Sequence, residues 1–287
     1  MTETSDLEGR SFVVTGANTG IGRATLEDLA GRGARVVLAN RSAERTRPVI
    51  EAVRSTTGND LLEHLPLDLG DLAAVRRAAS TLLTRGDPID VLVANAGLAG
   101  QRGLTADGFE LAFGTNHLGH FLFVTELLPL LRAAAPARVV GGASDSHHAA
   151  KGLPIETLRQ PTRTITGMRE YERSKLANVV FAQELARREA SETVAVHALH
   201  PGVIASEIWR RIPWPVRPIM TRRMGSVADG ARTSVWCATS EELLGSTGGY
   251  YADCAPSKPS DVATPELGAW LWDQSEEWVQ PSRSRDV

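Results

Sequence analysis

Short apolar runs alternate with longer amphipathic stretches along most of the chain. The short runs are rich in β-branched residues and predict strands, whereas apolar residues at helical spacing predict helices between them. The predicted strands are Ser11–Thr15, Arg35–Ala39, Leu61–Leu67, Asp90–Ala94, Arg138–Gly141, Val194–Leu199 and Tyr250–Ala252. The predicted helices are Arg23–Arg32, Ser42–Ser55, Asp71–Thr84, Asp107–Arg132, Glu170–Ala190 and Val227–Ala238.

Strands that are apolar nearly throughout, each followed by a helix, are typical of a parallel sheet covered on both faces. The predicted fold class is therefore α/β, a doubly wound and mostly parallel sheet (Rossmann fold) with helices on both faces. No Pro- or Gly-rich linker divides the chain, so residues 9–279 are expected to form a single domain. Residues 1–8 and 280–287 are expected to be flexible ends.

Composition and charge disfavour several classes of protein. The 287 residues carry 31 Lys and Arg against 34 Asp and Glu, and this net charge of −3 gives no general attraction to nucleic acid or an anionic membrane. Cys237 and Cys254 form no ligand motif and the histidines show no ligand spacing, so neither a disulfide framework nor a metal site is predicted. No signal peptide or transmembrane segment is predicted, and a cytoplasmic location is expected.

The turn after the first predicted strand contains three glycines, Gly16, Gly20 and Gly22. Glycines at this place let backbone N–H groups come close to a pyrophosphate at the N-terminus of the following helix. A glycine turn alone is a weak signal, because many strand–helix turns contain glycines without binding phosphate. Its position after the first strand of a βα series nevertheless predicts dinucleotide binding.

The pattern Thr-Gly-x-x-x-Gly-x-Gly at Thr15–Gly22 resembles the cofactor motif of the short-chain dehydrogenase/reductase superfamily, and further matches follow in that superfamily's order. They are Asp68, Asn95-Ala96-Gly97, Asn116, Ser144, the pair Tyr171 and Lys175, and Pro201-Gly202. The resemblance covers residues 9–255, and residues 116–121 and 174–178 are similar to the retinol-dehydrogenase-like branch. It implies an NAD(P)-dependent enzyme acting on CH–OH donors.

The resemblance also implies which residues contact the cofactor. These are Gly16, Asn18, Thr19, Gly20, Ile21, Arg41, Asp68, Leu69, Asn95, Ala96, Gly97, Tyr171, Lys175, Pro201, Gly202, Val203 and Ser206.

Four residues are predicted to be catalytic. Tyr171 and Lys175 are four residues apart and share a helix face, so the Lys175 ammonium and an oxidised nicotinamide would lower the phenol pKa from about 10. Tyr171 could then exchange a proton with the substrate oxygen during hydride transfer, while Ser144 orients that oxygen. The resemblance implies that Asn116 supports a proton relay from Lys175. Ser146 is a competing candidate for the serine.

The end of the second strand bears on cofactor choice. An NAD-selective site would have an acid near Asn40, whereas this chain continues with Arg41 and Ser42 and has no acid before Glu44. Arg41 could form charge-assisted bonds to a 2′-phosphate, with Arg23 as a second positive charge, which predicts NADP (NADPH). The alternative is that Arg41 is an ordinary surface arginine.

Residues 207–225 follow the sixth strand and are predicted to form a substrate lid. Within them, Trp209–Met224 has five arginines, which favour an anionic or oxygen-rich substrate or a lipid surface, and two tryptophans, which suit a flat apolar one. The alternative is an irregular surface connection.

Together these features predict an NADP-dependent oxidoreductase, a ketoreductase that interconverts a carbonyl and an alcohol on a bulky hydrophobic small molecule. Two alternatives stay open: reduction of a carbon–carbon double bond, and a non-catalytic NADP-binding sensor or scaffold protein. The resemblance also allows a homodimer through helices Asp107–Arg132 and Glu170–Ala190.

Overall fold

The computed structural model describes residues 5–190, 193–202 and 225–280. Its strands are β1 (Ser11–Thr15), β2 (Arg35–Asn40), β3 (Leu62–Pro66), β4 (Val91–Ala94), β5 (Ala137–Gly142), β6 (Val194–His200), β7 (Tyr250–Ala252) and β8 (Ala255–Pro256). Its α-helices are α1 (Gly20–Gly31), α2 (Ala43–Thr57), α3 (Leu72–Arg85), α4 (Leu111–Phe113), α5 (Gly119–Ala133), α6 (Ile155–Leu158), α7 (Met168–Arg188), α8 (Val227–Thr239) and α9 (Pro265–Val279).

The strands form one sheet in the order β3-β2-β1-β4-β5-β6-β7-β8. All neighbouring pairs from β3 to β7 are parallel, and β8 pairs antiparallel with β7 at the edge. The chain order reverses between β1 and β4, which makes their carboxyl ends a topological switch point. The predicted fold class, a doubly wound and mostly parallel α/β sheet in a single domain, is confirmed.

Alternate residues of the strands face two separate cores. Val13 and Leu92 belong to the core under α3, α5, α7 and α9, whereas Val14 and Val93 belong to the core under α1, α2 and α8. This period of two explains why the strands are apolar throughout, since both faces of each strand are buried.

The predicted helix Asp107–Arg132 differs from the structure in its start and in its regularity. The helix begins at Leu111, and α4, a π-helical turn at Gly114–Leu118 and α5 follow one another without a break. Asp107 lies in the preceding turn, where its carboxylate accepts a hydrogen bond of 2.9 Å from the backbone N–H of Leu72 at the start of α3. The prediction was wrong at this end because Asp107 caps another helix.

Helix α9 was not predicted, although its start carries clear signals. Thr264 is the N-cap and accepts a hydrogen bond from the Leu267 N–H, and Pro265 occupies the first turn. The helix packs on α5 and α7 through Trp272, whose ring centroid lies 5.0 Å from that of Phe121 and 6.0 Å from that of Phe181.

Helix α9 therefore covers part of the two helices through which the resemblance allows a homodimer. Four of the five exposed residues of α9 are acidic, namely Glu266, Asp273, Glu276 and Glu277. Arg188 of α7 lies 3.6 Å from Asp273, so the neighbouring helix offsets part of this negative charge. A homodimer through α5 and α7 would have to use the surface that α9 leaves free.

Replacing Trp272 by alanine should destabilise the protein strongly. Trp272 is only 7 % exposed, and its removal would leave a cavity beside Phe121 and Phe181. We expect a loss of about 3–5 kcal/mol in the free energy of unfolding, measured by urea denaturation. Trp270→Ala, at a half-buried position of the same helix, is the control and should cost clearly less. Equal losses would contradict this account of α9.

The ends of the chain differ in what the structure describes. Within the N-terminal segment 1–8, expected to be flexible, residues 5–8 pack on the domain: Leu7 is buried and Asp6 pairs with Arg32 at 2.6 Å. The tail, apart from Gln280, lies outside the described residues, as do Val203, Ser206 and almost all of the predicted lid 207–225. None of the helices in the described part of the chain combines the length and apolar character that crossing a membrane requires.

Candidate active site

A cleft of about 520 Å³ opens at the carboxyl ends of β1 and β4, the place where open parallel sheets bind ligands. The predicted cofactor residues that line it are Gly16, Asn18, Thr19, Gly20, Ile21, Arg41, Asp68, Leu69, Asn95, Ala96, Gly97, Tyr171, Lys175 and Pro201. Gly202 follows β6 but does not line the cleft. The structure thus gathers residues that are far apart in the chain into one site.

The glycine turn is built so that only glycine fits at two positions. Gly16 has φ +68°, a left-handed conformation that other residues rarely adopt. A Cβ atom on Gly22 would lie 2.3 Å from the carbonyl oxygen of Gly16 and 2.4 Å from Nδ2 of Asn95. Helix α1 begins at Gly20, three residues before its predicted start, because the glycine motif itself forms the first turn. The side chain of the N-cap residue Thr19 makes no hydrogen bond to the first N–H groups of α1, so these groups remain available to an anion.

Two polar side chains fix the turn to the end of β4. Asn95 Nδ2 donates to the carbonyl oxygen of Thr15 at 2.9 Å, and Thr15 Oγ1 accepts from the Ala96 N–H at 2.9 Å. His120 Nε2 lies 2.9 Å from the same hydroxyl. Burial lowers the pKa of His120 to about 4, so the ring is neutral; its Nδ1–H donates to the carbonyl of Asn116 and its Nε2 accepts from Thr15. Sequence reasoning missed this role of His120.

Asn116 lies in the π-helical turn and connects three parts of the site. Its Oδ1 accepts from the Leu98 N–H at 2.8 Å, and its Nδ2 donates to the Leu98 carbonyl and to Ser174 Oγ, both at 2.9 Å. The side chain therefore holds the loop after β4 against α7, directly before Lys175. The predicted proton relay through Asn116 stays a prediction.

Lys175 is buried and pointed at the end of β5. Its Nζ donates to the carbonyl oxygen of Gly142 at 2.8 Å, and Asn178 Nδ2 donates to the same oxygen at 3.0 Å. Burial lowers the pKa of Lys175 to about 8. The ammonium is 5.6 Å from the centre of the Tyr171 ring, so the two predicted partners lie close together.

The pKa of Tyr171 differs in direction from the prediction. The residue is 7 % exposed, and this burial raises its pKa above the usual value of 10.0. The hydroxyls of Ser144 and Ser146 lie near the phenol and oppose the rise, whereas Lys175 does not contribute to it. Desolvation therefore outweighs the expected effect of Lys175 in the protein by itself.

Ser144 is placed beside Tyr171, as the resemblance implies, and Ser146 is close to both. Ser144 Oγ accepts from the Ser146 N–H at 3.3 Å and lies 2.9 Å from Ser146 Oγ. The two serines that the sequence left in competition thus belong to one hydrogen-bonded pair. Both lie in or next to the 3₁₀ turn Asp145–Ala149 that follows β5.

Two arginines, Arg41 and Arg45, line the cleft where β2 ends. Arg41 Nη1 lies 3.9 Å from Asp68 Oδ2, and both side chains are partly exposed. Arg45 was not predicted, whereas Arg23, predicted as the second positive charge, does not line the cleft and pairs with Glu27 at 2.8 Å. The structure therefore does not bring Arg23 to the cleft, because α1 turns it toward its own next turn, while the first turn of α2 carries Arg45.

Comparisons with known proteins agree with this arrangement. The model of the short chain dehydrogenase family matches residues 10–154. Retinol dehydrogenase 11 of Homo sapiens is 39 % identical over 281 residues, covering 96 % of this chain and 87 % of that protein. A protein of known structure from Mycobacterium paratuberculosis is 31 % identical, with a TM-score of 0.75 and coverage of 96 % and 97 %. The Pseudomonas aeruginosa RhlG/NADP active-site complex is 25 % identical, with a TM-score of 0.67 and coverage of 92 % and 100 %.

Two findings establish the family: the family model matches half of the chain, and the identity to a retinol dehydrogenase extends over nearly all of it. The chain belongs to the short-chain dehydrogenase/reductase family, as an NAD(P)-dependent oxidoreductase acting on CH–OH groups, and its relatives include the retinol dehydrogenases.

Proposed function

We propose that the protein is an NADP-dependent ketoreductase that interconverts a carbonyl and an alcohol on a bulky apolar compound. The observation that carries this proposal is that buried Tyr171, with Ser144 near its hydroxyl, lines the same cleft as two arginines. A proton donor and a hydrogen-bond donor that converge on one point suit a reaction that creates charge on an oxygen atom.

The chemistry that a bound nicotinamide supplies is hydride transfer to or from the substrate carbon. The chain's own part is to hold the substrate oxygen and to move one proton. Because burial raises the pKa of Tyr171, its phenol is protonated at neutral pH and is ready to donate to a carbonyl oxygen. Ser144 hydrogen-bonds the same oxygen and holds it in line.

The arginines at the end of β2 fit a phosphate on the adenosine ribose. Arg41 and Arg45 are both exposed at the cleft, and no acid lies between Asn40 and Glu44 to repel a phosphate. A guanidinium forms charge-assisted bonds to phosphate oxygens, so these residues favour NADP over NAD. Asp68, 3.9 Å from Arg41, carries a negative charge that Arg41 compensates.

Replacing Arg41 by alanine should therefore weaken NADPH binding selectively. We expect a loss of about 1.5–3 kcal/mol, typical of a hydrogen bond to a charged group, with little change for NADH. Removing Arg41 would also leave Asp68 uncompensated next to the phosphate. Calorimetric titration with both cofactors measures the difference. Arg23→Ala, an arginine that does not line the cleft, is the matched control and should bind both cofactors as the wild type does. An equal loss for NADPH and NADH in the Arg41 variant would contradict NADP selectivity.

The substrate class is proposed from two sources. The similarity to retinol dehydrogenase 11 favours an apolar alcohol or its carbonyl counterpart. The tryptophans of the segment Trp209–Met224, which the sequence predicts to act as a lid, suit the same kind of compound. We also keep the cytoplasmic location expected from the sequence as part of this proposal.

A panel of apolar aldehydes, ketones and the corresponding alcohols tests the proposal. We expect oxidation of NADPH with carbonyl substrates, followed by nicotinamide absorbance, and an alcohol as the product by mass spectrometry and NMR. A product that has lost a carbon–carbon double bond and kept its carbonyl would favour the alkene reductase. Tight NADPH binding without turnover of any compound would favour the sensor.

A further inference from the structure

We propose that Ser146 is a positioning residue that makes Ser144 a hydrogen-bond donor to the substrate oxygen, an inference that rests on the proposed function of this site. Ser146 is the second serine at the turn that follows β5. From the sequence, Ser146 is only an alternative candidate for the catalytic role of Ser144.

Two groups of Ser146 are placed to donate hydrogen bonds to the hydroxyl oxygen of Ser144. The backbone N–H of Ser146 donates to Ser144 Oγ at 3.3 Å, and the Ser146 hydroxyl donates to the same atom at 2.9 Å. A serine hydroxyl has two acceptor lone pairs and one proton. Because Ser146 occupies both lone pairs of Ser144 Oγ, the Ser144 hydroxyl can act toward a third group only as a hydrogen-bond donor.

Reduction of a carbonyl is helped by a hydrogen-bond donor beside the substrate oxygen. During reduction of a carbonyl, negative charge develops on the substrate oxygen, and a hydrogen-bond donor held in advance stabilises it. If the hydroxyl of Ser144 were free to rotate, it could instead turn its proton away from the substrate. Ser146 removes that freedom before the substrate binds, so the ordering is already present in the free enzyme.

The turn that carries Ser146 is fixed on one side through Asp145. Tyr250 Oη donates to Asp145 Oδ1 at 2.8 Å, which ties the turn to β7. The backbone N–H of Asp145 donates to Nδ1 of His200, at 3.3 Å, and so ties it to β6. Burial lowers the pKa of His200, so the ring is neutral and carries its proton on Nε2, which lies 3.3 Å from Asp145 Oδ2.

The other side of the turn is fixed through His147. Its Nδ1–H donates to the carbonyl oxygen of Ser144 at 2.7 Å, and its Nε2 accepts from the backbone N–H of Ser260 at 2.9 Å. His147 is fully buried, so this histidine is a structural support and does not face a substrate. With the residues on both sides of Ser146 held in this way, the Ser146 side chain has little freedom to leave Ser144.

A double-mutant cycle on the two serines tests the proposal. In the wild-type background, Ser146→Ala should lower kcat for a carbonyl substrate by about three- to ten-fold, the effect of losing one neutral hydrogen bond. Ser144→Ala should lower it by about 10²–10³-fold, as the loss of a donor to a developing oxyanion does. Because Ser146 acts through Ser144, adding Ser146→Ala to Ser144→Ala should cause no further loss.

Two further measurements separate positioning from general damage to the structure. The dissociation constant of NADPH should be unchanged in all three variants, since neither serine lines the cofactor cleft. Ser146→Thr keeps the hydroxyl and should restore most of the turnover that Ser146→Ala loses. Weakened NADPH binding in Ser146→Ala, or failure of the threonine to restore turnover, would indicate a merely structural role and overturn the proposal.

The double-mutant cycle also distinguishes positioning of Ser144 from a direct action of Ser146 on the substrate or on Tyr171, and from failure of the proposed function. If Ser146→Ala lowers kcat as much in the Ser144→Ala background as in the wild type, Ser146 acts on the substrate or on Tyr171 directly, and the positioning role is wrong. Wild-type turnover in Ser146→Ala would overturn it as well. A wild type that reduces or oxidises no member of the substrate panel overturns the proposed function and this inference together, whereas the other outcomes leave the proposed function intact.

Discussion

Tyr171→Phe should lower turnover by about 10²–10⁴-fold, the usual effect of losing a positioned acid–base group. The substitution removes the phenolic hydroxyl and keeps the ring, which is buried at the end of the cleft. Hydride transfer to a carbonyl carbon then has no side-chain hydroxyl at Tyr171 to protonate the oxygen. The affinity for NADPH should change little, because the cofactor contacts expected of the glycine turn and of Arg41 remain.

The matched control removes a hydroxyl from another buried tyrosine. Tyr251 lies in β7, is 6 % exposed and packs against His197 and Trp236, away from the cleft. Tyr251→Phe should therefore keep wild-type turnover. Steady-state kinetics with a saturating cofactor make the comparison. A Tyr171→Phe protein with near-normal turnover would refute the mechanism, whatever the control does.

The strands were predictable because burial on both faces leaves few polar residues in them. Each predicted strand agrees with the structure to within one residue at each end, whereas the strand order, with its switch point between β1 and β4, was not predicted. The gathering of the cleft residues was predictable for the same reason: the motifs follow strands whose carboxyl ends meet at one edge of the sheet.

Other features depended on contacts that periodicity does not contain. The π-helical turn around Asn116 leaves the apolar pattern of the long helix almost unchanged, so the sequence predicted an uninterrupted helix. The role of His120 arises only when β1, β4 and the long helix come together. Helix α9 is different: Thr264 and Pro265 form a recognisable start signal that sequence reasoning overlooked.

The sequence contains local signals that separate Arg23, which lies outside the cleft, from Arg45, which lines it. Glu27 follows Arg23 by four residues on a predicted helix, and that spacing favours an ion pair, which the structure has. Ser42 accepts a hydrogen bond from the Arg45 N–H and so begins α2 directly after β2, which brings Arg45 to the cleft. Both signals are local and could have been used.

Lys175→Met should abolish most of the turnover and at the same time stabilise the cofactor-free protein. The Lys175 side chain is 4 % exposed, and burial lowers its pKa from 10.5 to about 8, so holding the ammonium in this site costs folding free energy. That shift corresponds to a cost on the order of 3 kcal/mol at neutral pH. Methionine fills the space of the lysine stem without a charge. Asn178 still hydrogen-bonds the Gly142 carbonyl, so that oxygen keeps a partner.

Since the substitution also removes one hydrogen bond, we expect a net gain of about 1–3 kcal/mol in the free energy of unfolding at neutral pH. Urea denaturation measures it. Lys151→Met, at an exposed position, is the control and should change stability by less than about 0.5 kcal/mol.

The pH dependence of this gain identifies its cause. Below pH 8 Lys175 is protonated in both the folded and the unfolded chain, and the cost of burying the charge is present in full. Between pH 8 and 10.5 the folded protein releases the proton while the unfolded chain keeps it, so the unfolded state binds more protons and wild-type stability rises with pH relative to the Met variant. The advantage of Lys175→Met should therefore shrink across this range and vanish above it. A gain that did not depend on pH would mean that better packing, and not the buried charge, explains it; a loss of stability would mean that the Lys175–Gly142 hydrogen bond outweighs the cost of desolvation.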